Sequence, residues 1–544
     1  MMRFLNGSDC MKHPYSDLQH RWRHFSAVSC ACLLMIVAAH GQGIVQSWEG
    51  ISGPDPSGTV GPPPDPHGAP GTDGVIATVN LGISYYTKSG KLIWGPANLP
   101  TFFVGNAGIG NDNADPRVLF DHGSRRFFVI MQENHNSRLW LNVAVSRNSN
   151  PLSSSAADWI IYRFDATEYT ATNSAGGVNY GGDYPGMAVD SQALYVAYRM
   201  FAFDKSGNMS GCGCDVLNSA LLIMNKAQLI AGTGTIASLY TDAITLQPVS
   251  PMGGGPGNVM YMVGNWNNST LKLYAVSDPL NTRTLTTSFL TVADVGAGPT
   301  NQAPQLGSTN SVDPIQGKMQ GNATLVNGDL WCCMTRGQPG GPAVAAYWQI
   351  RLNGWPQTGT PTLEEEGTVG ALTDWNYLPS ISANQAGDVA MTWTRSSSTR
   401  YPAMMVAWRT AYASTFGSPI VVKVSPAANN DGRWGDYFSV WPDPNDGSLW
   451  AVSEWTRTDT GTWSTWWTQI SMPPRDFFVR WNTPNPGTQD GSPAFPYTTV
   501  GAAHANITSG TVHIFGGHYN ERMTFFKSVV LEAYSGGPVT IGSP

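Results

Sequence analysis

The sequence predicts an all-β protein, and its composition and local pattern both support this prediction. Glycine and proline are abundant, at 60 and 38 of 544 residues, so turns are frequent. Charged residues make up only 12% of the chain whereas aromatic residues reach 11%, which favours strands over solvated helices. Short alternating segments are separated by Asp-Gly or Asn-Gly turns, as in β-hairpins.

One unit recurs along residues 75–472: a small or acidic opening residue, an alternating strand, a turn, a second strand and two more strands. Its clearest copies lie at residues 115–164, 182–240, 377–408 and 436–470. A β-propeller blade uses about 50 residues for four strands, so counting the opening residues predicts six or seven blades. Two β-sandwiches are the less favoured alternative, because sandwiches rarely repeat one opening residue at this period.

The N-terminal part has the pattern of a secretory signal within residues 1–43. Two arginines precede a largely apolar run at residues 25–39, and small residues follow it. The run is short for a membrane-spanning helix, so we predict export and no stable membrane insertion after cleavage, with an anchor helix as the alternative. Residues 44–74, rich in Gly and Pro, are predicted to be an extended lead-in.

Four cysteines follow the predicted signal: Cys212, Cys214, Cys332 and Cys333. An exported protein can form disulfides, and three pairings remain open. Zinc is not indicated, because the spacing within each pair is tight and no His is nearby. The net charge of −7 offers no basic face for phosphates, so we predict no nucleic-acid partner.

Three carboxylates open predicted blades: Asp115, Asp183 and Asp436. First strands of blades converge on the central channel, so in register these side chains would surround one channel mouth. They could bind a cation such as Ca²⁺ through oxygen atoms, or supply the acid and base of glycoside cleavage. The alternative, favoured for each one singly, is that the carboxylate caps backbone N–H groups of a turn.

Aromatic and arginine side chains are predicted near the same mouth. Tyr184, Trp434 and Tyr437 could stack on sugar rings, although packing between blades is the slightly favoured alternative. Arg117 and Arg433 could grip a carboxylate ligand or pair with the neighbouring Asp residues.

The order of four segments resembles a family of secreted bacterial β-propeller proteins that is loosely grouped with the sialidase-like propellers. The segments are residues 79–90, 114–128, 182–185 and 433–437. The resemblance covers roughly residues 58–472 and implies a propeller and export, but no catalytic residue. An intact Ser-x-Asp-x-Gly-x-Thr-Trp box is missing, since residues 458–463 are one residue too short. Sialidase activity is therefore not implied.

Residues 475–544 differ from the repeats and are similar to the first coils of right-handed parallel β-helix proteins. About two coils are present, whereas a solenoid needs about three or more to bury a core. Either the chain is truncated, or these coils dock onto the propeller. The whole sequence predicts a secreted protein that binds glycans, polysaccharides or cell-surface partners. A glycoside hydrolase or polysaccharide lyase that uses carboxylates at the channel mouth is the alternative.

Overall fold

The computed structural model describes residues 43–53, 63–103, 113–209, 216–253, 257–293, 302–338, 341–411, 413–430, 433–457, 462–472, 476–482, 489, 491, 496–507, 510–525 and 529–542. The predicted signal, Cys212, Cys214 and most of the segment 458–463 lie outside the described residues.

The described part of the chain is all-β. Its first strand is β1 (Gly43–Ser52). Consecutive antiparallel strands then form three four-stranded sheets: β2 (His67–Pro70), β3 (Gly74–Val79), β4 (Gly82–Thr87) and β5 (Leu92–Asn98); β6 (Asn113–Asp121), β7 (Arg126–His135), β8 (Arg138–Ser146) and β9 (Trp159–Asp165); β10 (Gly176–Val189), β11 (Ala193–Asp204), β12 (Val216–Asn225) and β13 (Ala237–Thr241). Two short helices, α1 (Leu99–Phe102) and α2 (Lys226–Ala231), follow β5 and β12.

The next strands repeat this arrangement: β14 (Leu246–Pro251), β15 (Val259–Asn267), β16 (Thr270–Ser277) and β17 (Thr284–Thr291); β18 (Ala323–Val326), β19 (Asp329–Gln338), β20 (Gly341–Arg351) and β21 (Thr362–Val369); β22 (Trp375–Ala383), β23 (Val389–Ser397), β24 (Arg400–Arg409) and β25 (Ile420–Val424); β26 (Ser439–Pro442), β27 (Leu449–Thr456) and β28 (Trp463–Ser471). Parallel pairing of β14 with β18 joins two of these groups into one eight-stranded sheet. The last group gains β1 as its fourth strand, since β1 pairs antiparallel with β28.

The first strands of successive groups form a closed ring. Going round, β2 contacts β6, which contacts β10, and the contacts continue through β14, β18, β22 and β26 back to β2. A ring of radially arranged antiparallel sheets is the β-propeller architecture. Because β1 completes the sheet of the last three strands, residues 44–52 belong to the ring and are not an extended lead-in. The physical reason is closure, since the N-terminal strand satisfies the backbone edge of β28.

Acidic or amide side chains hold the turns that follow the first strands. Asp121 accepts the backbone N–H of Ser124 at 3.0 Å, Asp190 accepts that of Ala193 at 2.8 Å, and Asn384 accepts that of Asp388 at 3.0 Å. Such local hydrogen bonds replace those that a turn cannot make with a neighbouring strand. They explain why the Asp/Asn-Gly pattern recurs in the sequence.

Apolar faces of neighbouring sheets pack on each other and form the core between the sheets. Strand alternation places Cys332 and Cys333 on opposite faces of β19, in two different core clusters. Both are buried free thiols. Two aromatic rings, Trp48 and Trp467, stack at a centroid distance of 5.5 Å where β1 joins the last sheet. Closure of the ring is therefore supported by aromatic packing as well as by strand pairing.

The C-terminal residues form two small parallel sheets. One contains β29 (Phe477–Val479), β30 (Gly510–Ile514) and β32 (Val529–Ala533), and the other β31 (Gly517–Tyr519) and β33 (Val539–Ile541). Helix α3 (Val500–Asn506) lies between β29 and β30 in the chain. Across the described part of the protein, no helix has the length and apolar character that crossing a membrane requires.

Candidate functional site

A cluster of four carboxylates lies where the first strands begin. Three are the predicted Asp115, Asp183 and Asp436, and the fourth is Asp65, two residues before β2. Hydrogen bonds show that they are close neighbours, because Asp65 accepts the backbone N–H of Asp436, and Tyr184, which follows Asp183, donates its backbone N–H to Asp115 and its hydroxyl to Asp436. The structure therefore brings the three predicted carboxylates together and adds a fourth, which the sequence analysis placed in the lead-in.

A repeated backbone feature positions part of this cluster. Asp65, Asp115, Tyr184 and Leu378 each have a positive φ, between 45° and 59°, and each directly precedes a proline. In β6, β10 and β22 the register shifts at this point, as in a β-bulge. Positive φ is costly for residues other than glycine, so the surrounding structure must hold these positions. Asp115 is thus equivalent to Tyr184 in the repeat, and Asp183 lies one residue earlier.

Asp65 and Asp115 are buried and serve the connections between sheets. Asp65 is 1% exposed, and its carboxylate accepts the backbone N–H of Asp436 at 2.6 Å and the side-chain amide of Asn80 at 2.5 Å. Asp115 is 6% exposed and accepts the backbone N–H of Tyr184 at 3.4 Å. Both carboxylates therefore cap backbone N–H groups, which is the predicted alternative to cation binding or glycoside cleavage.

Burial and crowding raise the pKa of Asp65 and Asp115 in this cluster. Burial, followed by the nearby Asp436 carboxylate, raises the pKa of Asp65 to about 7. Burial, followed by the carboxylates of Asp183 and Asp65, raises the pKa of Asp115 well above its usual range.

The half-exposed members of the site form a rim around Tyr184. Its hydroxyl donates to Asp436 at 3.1 Å, and the Lys318 ammonium lies 4.3 Å from the centre of its ring. Arg433 donates to the other carboxylate oxygen of Asp436 at 3.1 Å, with 54% of its side chain exposed. Asp183 accepts from the amide of Gln132 at 3.1 Å and is half-buried. We call Asp183, Tyr184, Lys318, Arg433 and Asp436 the polar rim.

The other predicted ligand contacts are engaged inside the protein. The guanidinium of Arg117 lies 3.3 Å from the centre of the Tyr437 ring, and these residues are 3% and 0% exposed. The Tyr437 hydroxyl donates to the carbonyl of Pro116 at 3.2 Å. Trp434 is 3% exposed, and its indole N–H donates to Thr394 at 3.2 Å. These rings pack between strands, so their faces are not open to a ligand in this structure.

Below the rim, hydrogen-bonding side chains fill the axis of the ring. His67 is buried, and its Nδ1 accepts the backbone N–H of Val118 at 3.0 Å. Its Nε2 lies 3.3 Å from the amide oxygen of Asn322, so Nε2 carries the proton. Burial, with the positive charge of Arg117 as the second cause, holds the His67 pKa well below its usual range. A neutral His67 therefore joins two sheets across the axis.

Sequence reasoning missed two members of the site. Asp65 is recognisable afterwards, because Asp65-Pro66 repeats the pattern of Asp115-Pro116. Lys318 has no such signal, since it lies between β17 and β18 and reaches Tyr184 only through the fold.

A metal centre is not apparent among the residues that the structure describes. No three or more acidic, histidine or cysteine side chains converge there on a point where an ion could be held. The prediction that oxygen ligands bind Ca²⁺ at this mouth stays a prediction.

Comparison with known proteins gives only distant structural similarity. No family model and no curated protein matches the chain. Among solved structures, a mutant of Trypanosoma rangeli sialidase with trans-sialidase activity is 10% identical, with a TM-score of 0.34, and covers 72% of this chain. The chain spans only 57% of that sialidase.

Two further structures are equally distant. A Dyadobacter fermentans protein of unknown function is 12% identical, with a TM-score of 0.39 and coverage of 67% of this chain and 96% of its own. A Synechocystis apocarotenoid oxygenase mutant is 10% identical, with a TM-score of 0.37 and coverage of 69% and 77%. Similarity at this level says nothing about the activity or substrate of this protein.

Proposed function

We propose that the protein is an exported seven-bladed β-propeller that binds carbohydrate at the polar rim. The observation that carries this proposal is the rim itself, in which the Asp436 carboxylate is bonded to Arg433 and to the Tyr184 hydroxyl, and the Lys318 ammonium lies over the Tyr184 ring. Sugars present closely spaced hydroxyl groups that both donate and accept. Carboxylate acceptors beside Arg, Lys and Tyr donors suit such a ligand.

The balance of charge favours a neutral ligand over an anionic one. Asp183 and Asp436 are offset by Arg433 and Lys318, and with the half-buried Arg199 close to Asp183 the excess is a single positive charge. A site for phosphate or a polyanion would carry a clear excess of positive charge. A polysaccharide with free hydroxyl groups, in solution or on a cell surface, is the partner class that this balance supports.

Binding is favoured over catalysis because the protonated carboxyls are hidden. Asp65 and Asp115 are almost fully buried and already bonded to backbone N–H groups, so neither can reach a glycosidic oxygen without rearrangement. One observation favours the alternative of glycoside cleavage. Burial raises the pKa of Asp115 well above its usual range, whereas the nearby Asp183 is more exposed, and two carboxyls in such unlike environments are typical of an acid–base mechanism.

The proposal is tested with a glycan-array screen of the purified protein, with and without Ca²⁺, followed by a reducing-sugar assay on every glycan that binds. We expect binding without sugar release. Asp436→Asn and Arg433→Gln should each weaken binding about tenfold, because each removes a charged hydrogen-bond partner. Arg125→Gln, an exposed arginine near the other end of the ring, should leave binding unchanged.

The outcomes separate the two functions. No binding to any glycan, or full binding by Asp436→Asn and Arg433→Gln, would overturn the proposed site. Sugar release would replace binding by the enzymatic alternative, and loss of that release in Asp183→Asn would identify the catalytic carboxylate. A requirement for Ca²⁺ in either assay would add a metal to the site.

We also propose that the C-terminal parallel sheets are the first coils of a β-helix. The support is the continued register, in which Phe478 pairs with His513 and His513 with Glu532, while Gly517 pairs with Val539 in the second sheet. Stacking of Phe478 on His513, with centroids 4.8 Å apart, resembles the side-chain ladders of stacked coils. A disulfide should form readily in the paired variant H513C/E532C and not in the offset variant H513C/V530C; equal yields would contradict this register.

A further inference from the structure

A second recess lies at the other end of the first strands, where these strands end. A cavity of about 370 Å³ is lined by the ends of β2, β6, β10, β14 and β26 and by the last residues of α3. Asp115, near the start of β6, lies in the carboxylate cluster, whereas Asp121 ends β6 at the cavity. Since a strand rises about 3.3 Å per residue, the two places are about 20 Å apart.

Two residues that line the cavity each have a buried polar atom with no hydrogen-bond partner among the described residues. One is the indole nitrogen of Trp441, a residue that is 6% exposed, and the other is the hydroxyl of Ser250, which is 3% exposed. Buried polar atoms in folded proteins are nearly always hydrogen-bonded. An indole N–H can only donate, so its missing partner is an acceptor.

The charged groups on the wall are already paired. Lys226 donates to Asp121 at 2.9 Å and to the backbone carbonyl of Asp190. The carboxylate of Asp190 accepts from the hydroxyl of Tyr195 at 2.9 Å and from two backbone N–H groups of its turn. Lys226, Asp121 and Asp190 therefore leave no charge without a partner, and this disfavours an ionic ligand.

The remainder of the wall is largely apolar. It includes Leu119, Phe120, Val189, Pro251 and Met252. Binding pockets for small molecules are typically apolar with a few fixed polar groups, and their volumes begin at about 300 Å³. The cavity has both properties, together with the two unpartnered polar atoms.

We infer that this cavity is a second binding site, for a neutral and mainly apolar small molecule whose oxygen atom accepts from Trp441 and bonds to Ser250. An aromatic alcohol has this chemistry. The site is separate from the polar rim, so its occupant differs from the proposed carbohydrate. Failure of either proposal leaves the other standing.

The test compares benzyl alcohol with toluene, which has the same ring but lacks the oxygen, by ligand-observed NMR titration of the purified protein. Benzyl alcohol should bind more tightly than toluene. Trp441→Phe keeps an aromatic ring and removes the N–H. It should therefore weaken the affinity for benzyl alcohol about tenfold and change the affinity for toluene by less than about twofold. Ser250→Ala should have the same selective effect.

Met252→Trp should abolish binding of both probes, because the larger side chain fills the cavity. Trp266→Phe, a partly exposed tryptophan outside the cavity, is the matched control and should change neither affinity. The melting temperature of each variant confirms folding, and Ser250→Ala replaces Trp441→Phe if the latter is unstable. Absence of benzyl alcohol binding, an unchanged ratio of the two affinities in both polar variants, or full binding by Met252→Trp would each overturn the inference.

Discussion

Replacing Asp115 by Asn should change how the stability of the protein depends on pH. Burial and the carboxylates of Asp183 and Asp65 raise the pKa of Asp115, so the folded protein keeps this proton over a range in which the unfolded chain loses it. Asparagine has no proton to lose. Its amide can donate to both neighbouring carboxylates, and asparagine tolerates the positive φ of 56° better than most residues.

The sign and size of the effect follow from proton binding. An ordinary aspartate has a pKa of 3.8, so above that pH the unfolded wild type has released the proton that folded Asp115 retains. The stabilising contribution of Asp115 is therefore complete below its unfolded pKa and is lost as the pH rises toward its folded pKa. One extra proton in the folded state gives a slope of about 1.4 kcal/mol per pH unit. Relative to wild type, Asp115→Asn should therefore become more stable as the pH rises above 3.8, by at most about 1.4 kcal/mol per pH unit.

Urea unfolding at pH 5, 6 and 7 measures this difference directly. Groups whose pKa does not depend on Asp115, such as the buried His67, contribute equally to both proteins and cancel. Asp313→Asn removes the same formal charge at an exposed position and should run parallel to wild type. Parallel pH profiles for Asp115→Asn and wild type would refute the assignment of a retained proton to this cluster.

Three further predictions concern the ring, its thiols and the C-terminal module. Trp48→Ala should lower the free energy of unfolding by about 3–5 kcal/mol, because its ring, which is 9% exposed, supports closure by β1. The control Trp481→Ala removes a ring that is 55% exposed and should lower the free energy of unfolding by less than about 1 kcal/mol. Equal losses for the two variants in urea unfolding would contradict this prediction. Cys332 and Cys333 are both buried in β19, so iodoacetamide should alkylate them only after unfolding. Peptide mapping that finds them alkylated in the native protein would contradict this burial. Glu521 accepts two backbone N–H groups at the start of α3, each at 2.7 Å. Glu521→Gln should therefore destabilise the first turn of α3 by about 1 kcal/mol and speed amide hydrogen exchange in α3 but not in the ring. Equally faster exchange in both places would argue against a local role.

Much of the fold was predictable because strands and turns are encoded locally. Alternating apolar residues and the acidic residues of turns specify hairpins such as β6 and β7, where Asp121 binds the turn that follows it. Helix α2 is also encoded locally, since Asn225 caps its first turn. The three predicted carboxylates meet because they occupy similar places in repeats that the ring arranges side by side.

The site itself was less predictable, because its character depends on distant parts of the chain. The sequence predicts that Tyr437 and Arg117 contact a ligand. In the structure these two residues, which are 320 positions apart in the sequence, stack on each other and are buried. Lys318 joins the rim from a connection with no motif. Burial cannot be calculated from residue type alone, and burial is what raises the pKa of Asp65 and Asp115.

The sequence by itself determined that the chain is a repeating all-β protein with carboxylates at the start of successive units, because periodicity and turn chemistry act over a few residues. The tertiary structure alone decided that β1 closes the ring, that Asp65 joins the cluster, and that an apolar cavity forms at the opposite end. Each of these features depends on contacts between residues hundreds of positions apart, and sequence pattern carries no record of such contacts.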